Sequence, residues 1–241
     1  MVKSQVKKRR ILEKWYGIRV ETKEYYSQFA EDALLQTYFS NHAWNTGQKL
    51  SDSKPGFYVD IGCYSPIRIS NTWWFYKQGW RGINVDLSEE TINGFNIARP
   101  RDINLTLAIS NLESERELDF FEFGASSVYN TLDKASSEHT ERIYGFKPVI
   151  KKIKSMSLSR LLDNYLPEKE CISFLSIDAE GHDLEVLKSN NWEKYRPTVV
   201  VVEVHEPDFH RLGQTDVVLY MESLGYNIQY WANPSVIFCC T

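Results

Sequence analysis

From residue 56 onward the chain alternates between short unbroken apolar runs and longer stretches whose apolar residues fall three and four apart. GFYVDIG (56–62), RGINVD (81–86), INLTLAIS (103–110) and the apolar part of ISFLSIDAEG (172–181) have the length and β-branched content of buried strands. The valine run of PTVVVVEVHEP (197–207) predicts a central strand that is apolar on both faces. Between these runs the spacing predicts helices over 70–79, over SEETINGFNIARP up to Pro100, and over 157–167, 182–192 and 211–226. Upstream, Phe29, Ala33, Leu34, Tyr38 and Phe39 form a stripe for a helix over 25–40, with Ser27 as its cap. NIQYWANPSVIFCC closes the chain with strand-like runs. Two stretches lack a period: NTGQKLSDSKPG (45–56), rich in turn formers, and 111–155, which reads as irregular. Strands alternating with helices predict an α/β fold, a mostly parallel sheet with helices on both faces. The reading is one domain over 25–241, elaborated at about 111–155 and preceded by an extension over 1–24.

Polar residues break the apolar runs at one end. Asp60, Asp86, Asp178 and Glu203 all fall at the carboxyl ends of predicted strands, the edge where open α/β sheets bind ligands. Gly62 lets the backbone approach a ligand closely. The loop is not GxGxxG, because positions 64 and 66 are Tyr64 and Pro66, so a dinucleotide pyrophosphate is disfavoured. Asp86, at the end of the next strand, is spaced to accept ribose hydroxyls. Strand-end acids also serve as simple caps, and this pattern alone does not separate the two roles.

Composition narrows the class. Of 241 residues, 42% are hydrophobic and 25% charged, which excludes a disordered chain. Residues 1–14 carry six cations and only Glu13, so the rest holds 22 basic and 31 acidic residues. That acidic body disfavours a nucleic-acid surface, while the basic head leaves peripheral membrane contact open beside a plainly solvated terminus. Four scattered cysteines make neither a disulfide framework nor a zinc spacing, and they suit a reducing compartment. With no apolar leader and no spanning run, a cytoplasmic location is expected. A homo-oligomer is compatible with all of this.

Six runs carry a family likeness. YSQFAED (26–32), VDIGCYSP (59–66), SNTWWFYKQGWRGINVD (70–86), RPRDINLTLAIS (99–110), FLSIDAEGHDLEVLKSNNWEKYRP (174–197) and VVVVE (199–203) resemble the FkbM-type methyltransferases. The resemblance implies a Rossmann-like class I fold and an S-adenosylmethionine-dependent O-methyltransferase. Its acceptor would be a sugar hydroxyl of a surface polysaccharide or its precursor. A secondary-metabolite hydroxyl is the alternative, and a non-catalytic binding protein of the same fold is a third reading. The resemblance places the methionine part of the cofactor near Asp60 and Gly62, the ribose at Asp86 and the adenine near Ser110. Gln28, Glu31 and Asp32 match the family's N-terminal run, whose glycine is Ala30 here; a solvated helix face is the alternative for the two acids. Asn71 and Thr72 either shape the pocket or follow Ser70 as a helix cap.

The chemistry side sits at the other strand ends. A sugar hydroxyl is a poor nucleophile, so the protein must align it with the methyl group and help remove its proton. His182 and Glu180 are the candidate bases, with Asp178 beside them. If the strand continues past Glu203, a period of two puts His205 on the same side, and Asp178, Glu203 and His205 converge. Two carboxylates and an imidazole suit magnesium or manganese, which would acidify and orient the hydroxyl. Asp178, Glu180 and Gly181 also read simply as a turn leading into the helix. In 111–155, Phe120, Phe121, Phe123, Tyr129 and Tyr144 sit among Lys147, Lys151, Lys152 and Lys154, and suggest a lid that meets the acceptor.

Overall fold

The computed structural model describes residues 24–45, 55–111, 116–124, 127 and 129–240. The basic head and most of the 45–56 loop lie outside the described residues. In chain order the elements are α1 (Glu31–Asn45), β1 (Phe57–Ile61), α2 (Trp73–Lys77), β2 (Arg81–Asp86), α3 (Glu89–Ala98), β3 (Ile103–Thr106) and β4 (Ala108–Ile109). There follow β5 (Arg116–Glu122), α4 (Lys134–Tyr144), β6 (Val149–Met156), α5 (Leu158–Tyr165), β7 (Ile172–Ile177) and α6 (Asp183–Lys188). The chain closes with β8 (Val199–Glu203), α7 (Phe209–Leu212), α8 (Asp216–Ser223), β9 (Tyr226–Ala232) and β10 (Ser235–Cys240).

Seven strands form the main sheet in the order β3-β2-β1-β7-β8-β10-β9. The pairings from β3 across to β8 are parallel, and β10 runs antiparallel to both β8 and β9. The sheet is therefore mixed at its C-terminal edge. The alternation of side chains sorts residues to two covered faces. Tyr58, Phe174, Val199, Val201 and Ile237 pack with Leu35 of α1 and Phe75 of α2. Val59, Leu175, Ile177, Val200 and Val202 pack with Leu158, Leu161 and Leu162 of α5, Val186 of α6 and Met221 of α8. Burial on both faces is why β8 tolerates four consecutive valines, each fully or almost fully hidden. Burying one such side chain is worth about 1.5–3 kcal/mol.

Several boundaries differ from expectation. The first helix begins at Glu31, because Ala30 adopts a left-handed φ of 71° and Ala33 N and Leu34 N donate to its carbonyl. The run 103–110 splits into β3 of the main sheet and β4 of a second sheet. The helix over 211–226 breaks into α7 and α8. β8 stops at Glu203, so the period of two does not reach His205. The stretch 111–155, read as irregular, holds most of a three-stranded sheet, β4-β6-β5, and the helix α4. Its pattern is weak for a physical reason. β5 and β6 are exposed along much of their length and joined by Lys151–Glu122 and Lys152–Asp119 (2.5 Å) pairs. The buried residues of α4 are Ser137 and Thr140, so that helix shows no apolar stripe.

Candidate active site

β1 lies where the chain order turns, with β2 on one side and β7 on the other, and a cleft opens at this switch point. Gly62 sits at its base with φ +77°. A Cβ there would lie 1.8 Å from the Asp178 carbonyl oxygen, so only glycine fits between the ends of β1 and β7. The ends are tied together: Asp178 N donates to Ile61 O (2.9 Å), and Gly62 N and Cys63 N donate to Val85 O (2.9 and 3.1 Å). Tyr64, Ile69 and Glu180 also hold positive φ (48°, 51° and 49°), and all three line the cleft. Such conformations cost side-chain-bearing residues about 1–3 kcal/mol each and gather at functional sites.

The β1–β2 side of the cleft is held by a buried polar network. Asp86, at the end of β2, accepts from Tyr64 N (3.0 Å) and Ser88 N (2.8 Å), which shapes the loop above it. Burial raises its carboxyl above the ordinary value. Asp60, on β1, accepts from the Thr72 hydroxyl (2.8 Å), and Asn71 Nδ2 donates to Ser176 Oγ (3.1 Å). Behind them Arg99, at the C-terminus of α3, has no exposed surface at all. Its Nη2 donates to Ser70 Oγ (2.7 Å), its Nη1 to Thr72 Oγ1 (2.6 Å) and its Nε to the Pro66 carbonyl (2.7 Å). Asp102 lies 4.0 Å away and accepts from Tyr58 Oη, Gly82 N and Asn84 Nδ2. Burial raises both Asp60 and Asp102, and Arg99 opposes that rise. The role of Arg99 was missed in the sequence. Its only signal was a cation just before Pro100, at the end of an amphipathic helix.

The two readings of Ser70–Thr72 both hold. Ser70 Oγ accepts from Trp73 N (3.1 Å) at the start of α2, while Asn71 lines the cleft. At the N-terminal run, Glu31 and Asp32 are buried, which rules out a solvated face. Glu31 accepts from Ser235 Oγ (2.8 Å) and Phe29 N (2.8 Å), joining α1 to β10. Asp32 accepts from Ser27 Oγ (2.6 Å) and Tyr26 N (2.8 Å). Gln28 and Glu31 line the cleft.

At the chemistry side the carboxylates crowd one another. Burial, then repulsion from Glu203, pushes Asp178 well above the usual range, and burial raises Glu203 as well. Glu180 is pushed up to about 7 by burial and by Asp178. Asp183, which the sequence reading passed over, fixes the turn by accepting from Ala179 N (2.9 Å) and Gly181 N (3.2 Å). His182 heads α6 and lines the cleft, and its Nε2 is buried with no hydrogen-bond partner among the described residues. The expected metal triad is not assembled. His205 lies beyond the strand with its side chain 67% exposed, 3.3 Å from Glu203. Among the described residues no group of three or more His, Cys, Asp or Glu is arranged to hold a metal.

Gln28, Glu31, Asp60, Gly62, Asp86, Asp178, Glu180, His182 and Glu203 thus border one cleft, joined by Asn130, Thr131 and Leu132 from the 111–155 stretch. Ser110 and His205 are not among the lining residues. The Ser110 hydroxyl is buried without a partner among the described residues, and its backbone N–H donates to Met156 O (3.0 Å). No helix among the described residues is long and apolar enough to cross a membrane.

No curated protein matches the chain. Among solved structures, a methyltransferase FkbM from Methylobacillus flagellatus KT aligns at 10% identity and a TM-score of 0.45, over 77% of this chain and 43% of its own. The present chain thus spans less than half the length of that protein. A TehB-like SAM-dependent methyltransferase from Corynebacterium glutamicum ATCC 13032 Kitasato aligns at 10% identity and a TM-score of 0.38, over 88% of this chain and 98% of its own. The family model of the methyltransferase FkbM domain matches residues 60–228, from the acid of β1 through β7 and β8 and into β9, and by that match over well more than half its length the chain belongs to the FkbM methyltransferase family.

Proposed function

We propose that the cleft binds S-adenosylmethionine on a Rossmann-like class I scaffold and that the chain methylates a hydroxyl, with a sugar of a surface polysaccharide or its precursor as acceptor. The observation that carries the reading is the convergence of Asp60, Gly62, Asp86, Asp178, Glu180 and Glu203 on one cleft at the switch point of the sheet. The residues fit the cofactor: Gly62 lets the ends of β1 and β7 close together at the base of the cleft, and Asp86 stands ready for ribose hydroxyls. Asp60, Gln28 and Glu31 offer acceptors for the charged methionine end. When bound, S-adenosylmethionine supplies a methyl group already activated by its sulfonium.

The chain's own residues then handle the acceptor. Glu180, titrating at about 7, is substantially ionised at neutral pH and takes the hydroxyl proton on its carboxylate. His182, whose Nε2 is buried without a partner among the described residues, borders the same space and orients the hydroxyl. Burial and the neighbouring Glu203 push Asp178 toward its protonated form, which lessens the charge beside the base. No step runs through a divalent metal, because Asp178, Glu203 and His205 are not gathered as ligands. Calorimetry with S-adenosylmethionine tests the reading. Binding in the micromolar range that is lost in Asp86→Ala is expected, and no heat at high micromolar ligand overturns it.

A further inference from the structure

Ile69 holds a left-handed φ of 51°, a conformation that β-branched residues rarely adopt. The backbone around it is pinned. Arg99 donates to the Pro66 carbonyl and to Ser70 Oγ (2.7 Å each), and Ser70 N donates to Tyr26 O (3.0 Å). That last bond ties the loop to the N-terminal run. There Ala30 is left-handed too, at 71°, and Glu31 accepts from Phe29 N (2.8 Å). The side chains of Ile69 and Phe29 are each 44% exposed. Neither joins an apolar cluster of the fold among the described residues, and both line the cleft. A strained turn that presents an unpacked isoleucine contributes nothing to the stability of the fold, because glycine would hold the same turn without strain.

We propose that Ile69 and Phe29 are binding residues for the methionine chain of S-adenosylmethionine, an inference that rests on the cofactor reading above. That chain is apolar along its methylenes and charged at both ends, with a sulfonium at one and an ammonium and a carboxylate at the other. The neighbours match this alternation. Gln28 and Glu31 flank Phe29 in the chain, Asn71 follows two residues after Ile69, and all of them line the cleft. Polar groups therefore stand beside two apolar ones. The face of an aromatic ring attracts cations, so Phe29 suits the sulfonium and ammonium, and Ile69 suits the methylenes between them. An anionic occupant such as a diphosphate is poorly matched, because among the described residues no lysine or arginine lines the cleft. The strain at Ile69 is thus kept for a contact made to the ligand and not to the fold.

Calorimetry on the full chain tests this with two probes, S-adenosylmethionine and methylthioadenosine, which keeps the nucleoside and the sulfur but lacks the amino-acid chain. Ile69→Ala, which shortens the side chain and keeps the backbone restricted, and Phe29→Ala should each weaken S-adenosylmethionine at least about tenfold. Both should leave methylthioadenosine within about twofold of wild type. Ile69→Gly should weaken S-adenosylmethionine in the same way and, by removing the strain, raise the thermal midpoint of the protein without ligand by about 2–4 °C. Unchanged affinity for S-adenosylmethionine in the variants would overturn the proposal. So would an equal loss for both probes, which assigns the contact to the nucleoside or to the loop as a whole. A lowered midpoint in Ile69→Gly would overturn it too, because the side chain would then be packing in the fold. Wild type that fails to bind S-adenosylmethionine would sink the proposed function and this inference together, whereas each of the other outcomes leaves the proposed function standing.

Discussion

Replacing Arg99 by Met removes the buried guanidinium behind the β1–β2 side of the cleft while roughly keeping its bulk. Three hydrogen bonds of 2.6–2.7 Å vanish, and Ser70, Thr72 and the Pro66 carbonyl lose their donor. Asp102, 4.0 Å away, and Asp60 then sit buried with no compensating charge. Three charged bonds at about 1.5–3 kcal/mol each would sum to more than is realistic, because they share one side chain and are not additive. The better guide is the cost of breaking a buried ion pair from one side, about 3–5 kcal/mol. For a chain of this length that lowers the melting temperature by roughly 6–20 °C. The new side chain packs against Phe95, Trp73 and Tyr76, whose ring centroids lie 4.8–5.8 Å from the guanidinium, so no large cavity forms. Urea melts at several pH values form the assay. Without Arg99 the two acids hold their protons more firmly when folded, so the deficit should be full at neutral pH and shrink as pH falls. Arg99→Lys, which keeps the charge but not the fork, should fall between the two. A loss below about 1 kcal/mol, or a deficit independent of pH, would refute the assignment of Arg99 as the counter-charge of this network.

Other outcomes follow from the same geometry. Gly62→Ala should destabilise the fold by about 2–4 kcal/mol and abolish cofactor binding, since the added carbon meets backbone and not a movable side chain; a normal urea midpoint would show that the strand ends separate easily. Ala30→Gly should stabilise by about 0.5–1 kcal/mol, the left-handed strain relieved outweighing the added freedom of the unfolded chain, and an unchanged or lowered midpoint would count against it. Glu180→Gln should slow methyl transfer by about 10²–10⁴-fold and remove the rise in rate through pH 7; a wild-type pH profile would assign the base elsewhere. The sign for stability is opposite. A carboxyl raised on folding stabilises at low pH, and that contribution is lost as pH climbs from the ordinary glutamate value through about 7. The wild-type thermal midpoint should therefore decline over that window, and less steeply in Glu180→Gln.

Local pattern was enough where burial is two-sided or where a turn needs one residue type. The valines of β8, the strand RGINVD and the glycine after β1 all appear where the apolar runs put them, because a buried parallel strand leaves no room for another pattern. The strand-end acids were legible for the same reason, as polar breaks in apolar runs. The sheet β4-β6-β5 was not legible, because its strands face solvent and its helix buries Ser137 and Thr140. What only the tertiary structure decided is which distant groups meet. Arg99 becomes a buried counter-charge through α3 packing beside β2, and Glu31 reaches Ser235 across 204 residues. His205 stays at the exposed rim beside Glu203 and does not line the cleft, because β8 ends two residues too soon for the alternation to carry it inward. Periodicity along a chain reports which face is apolar. It holds no information about which polar side chains share a buried space, and in this protein that sharing shapes the cleft.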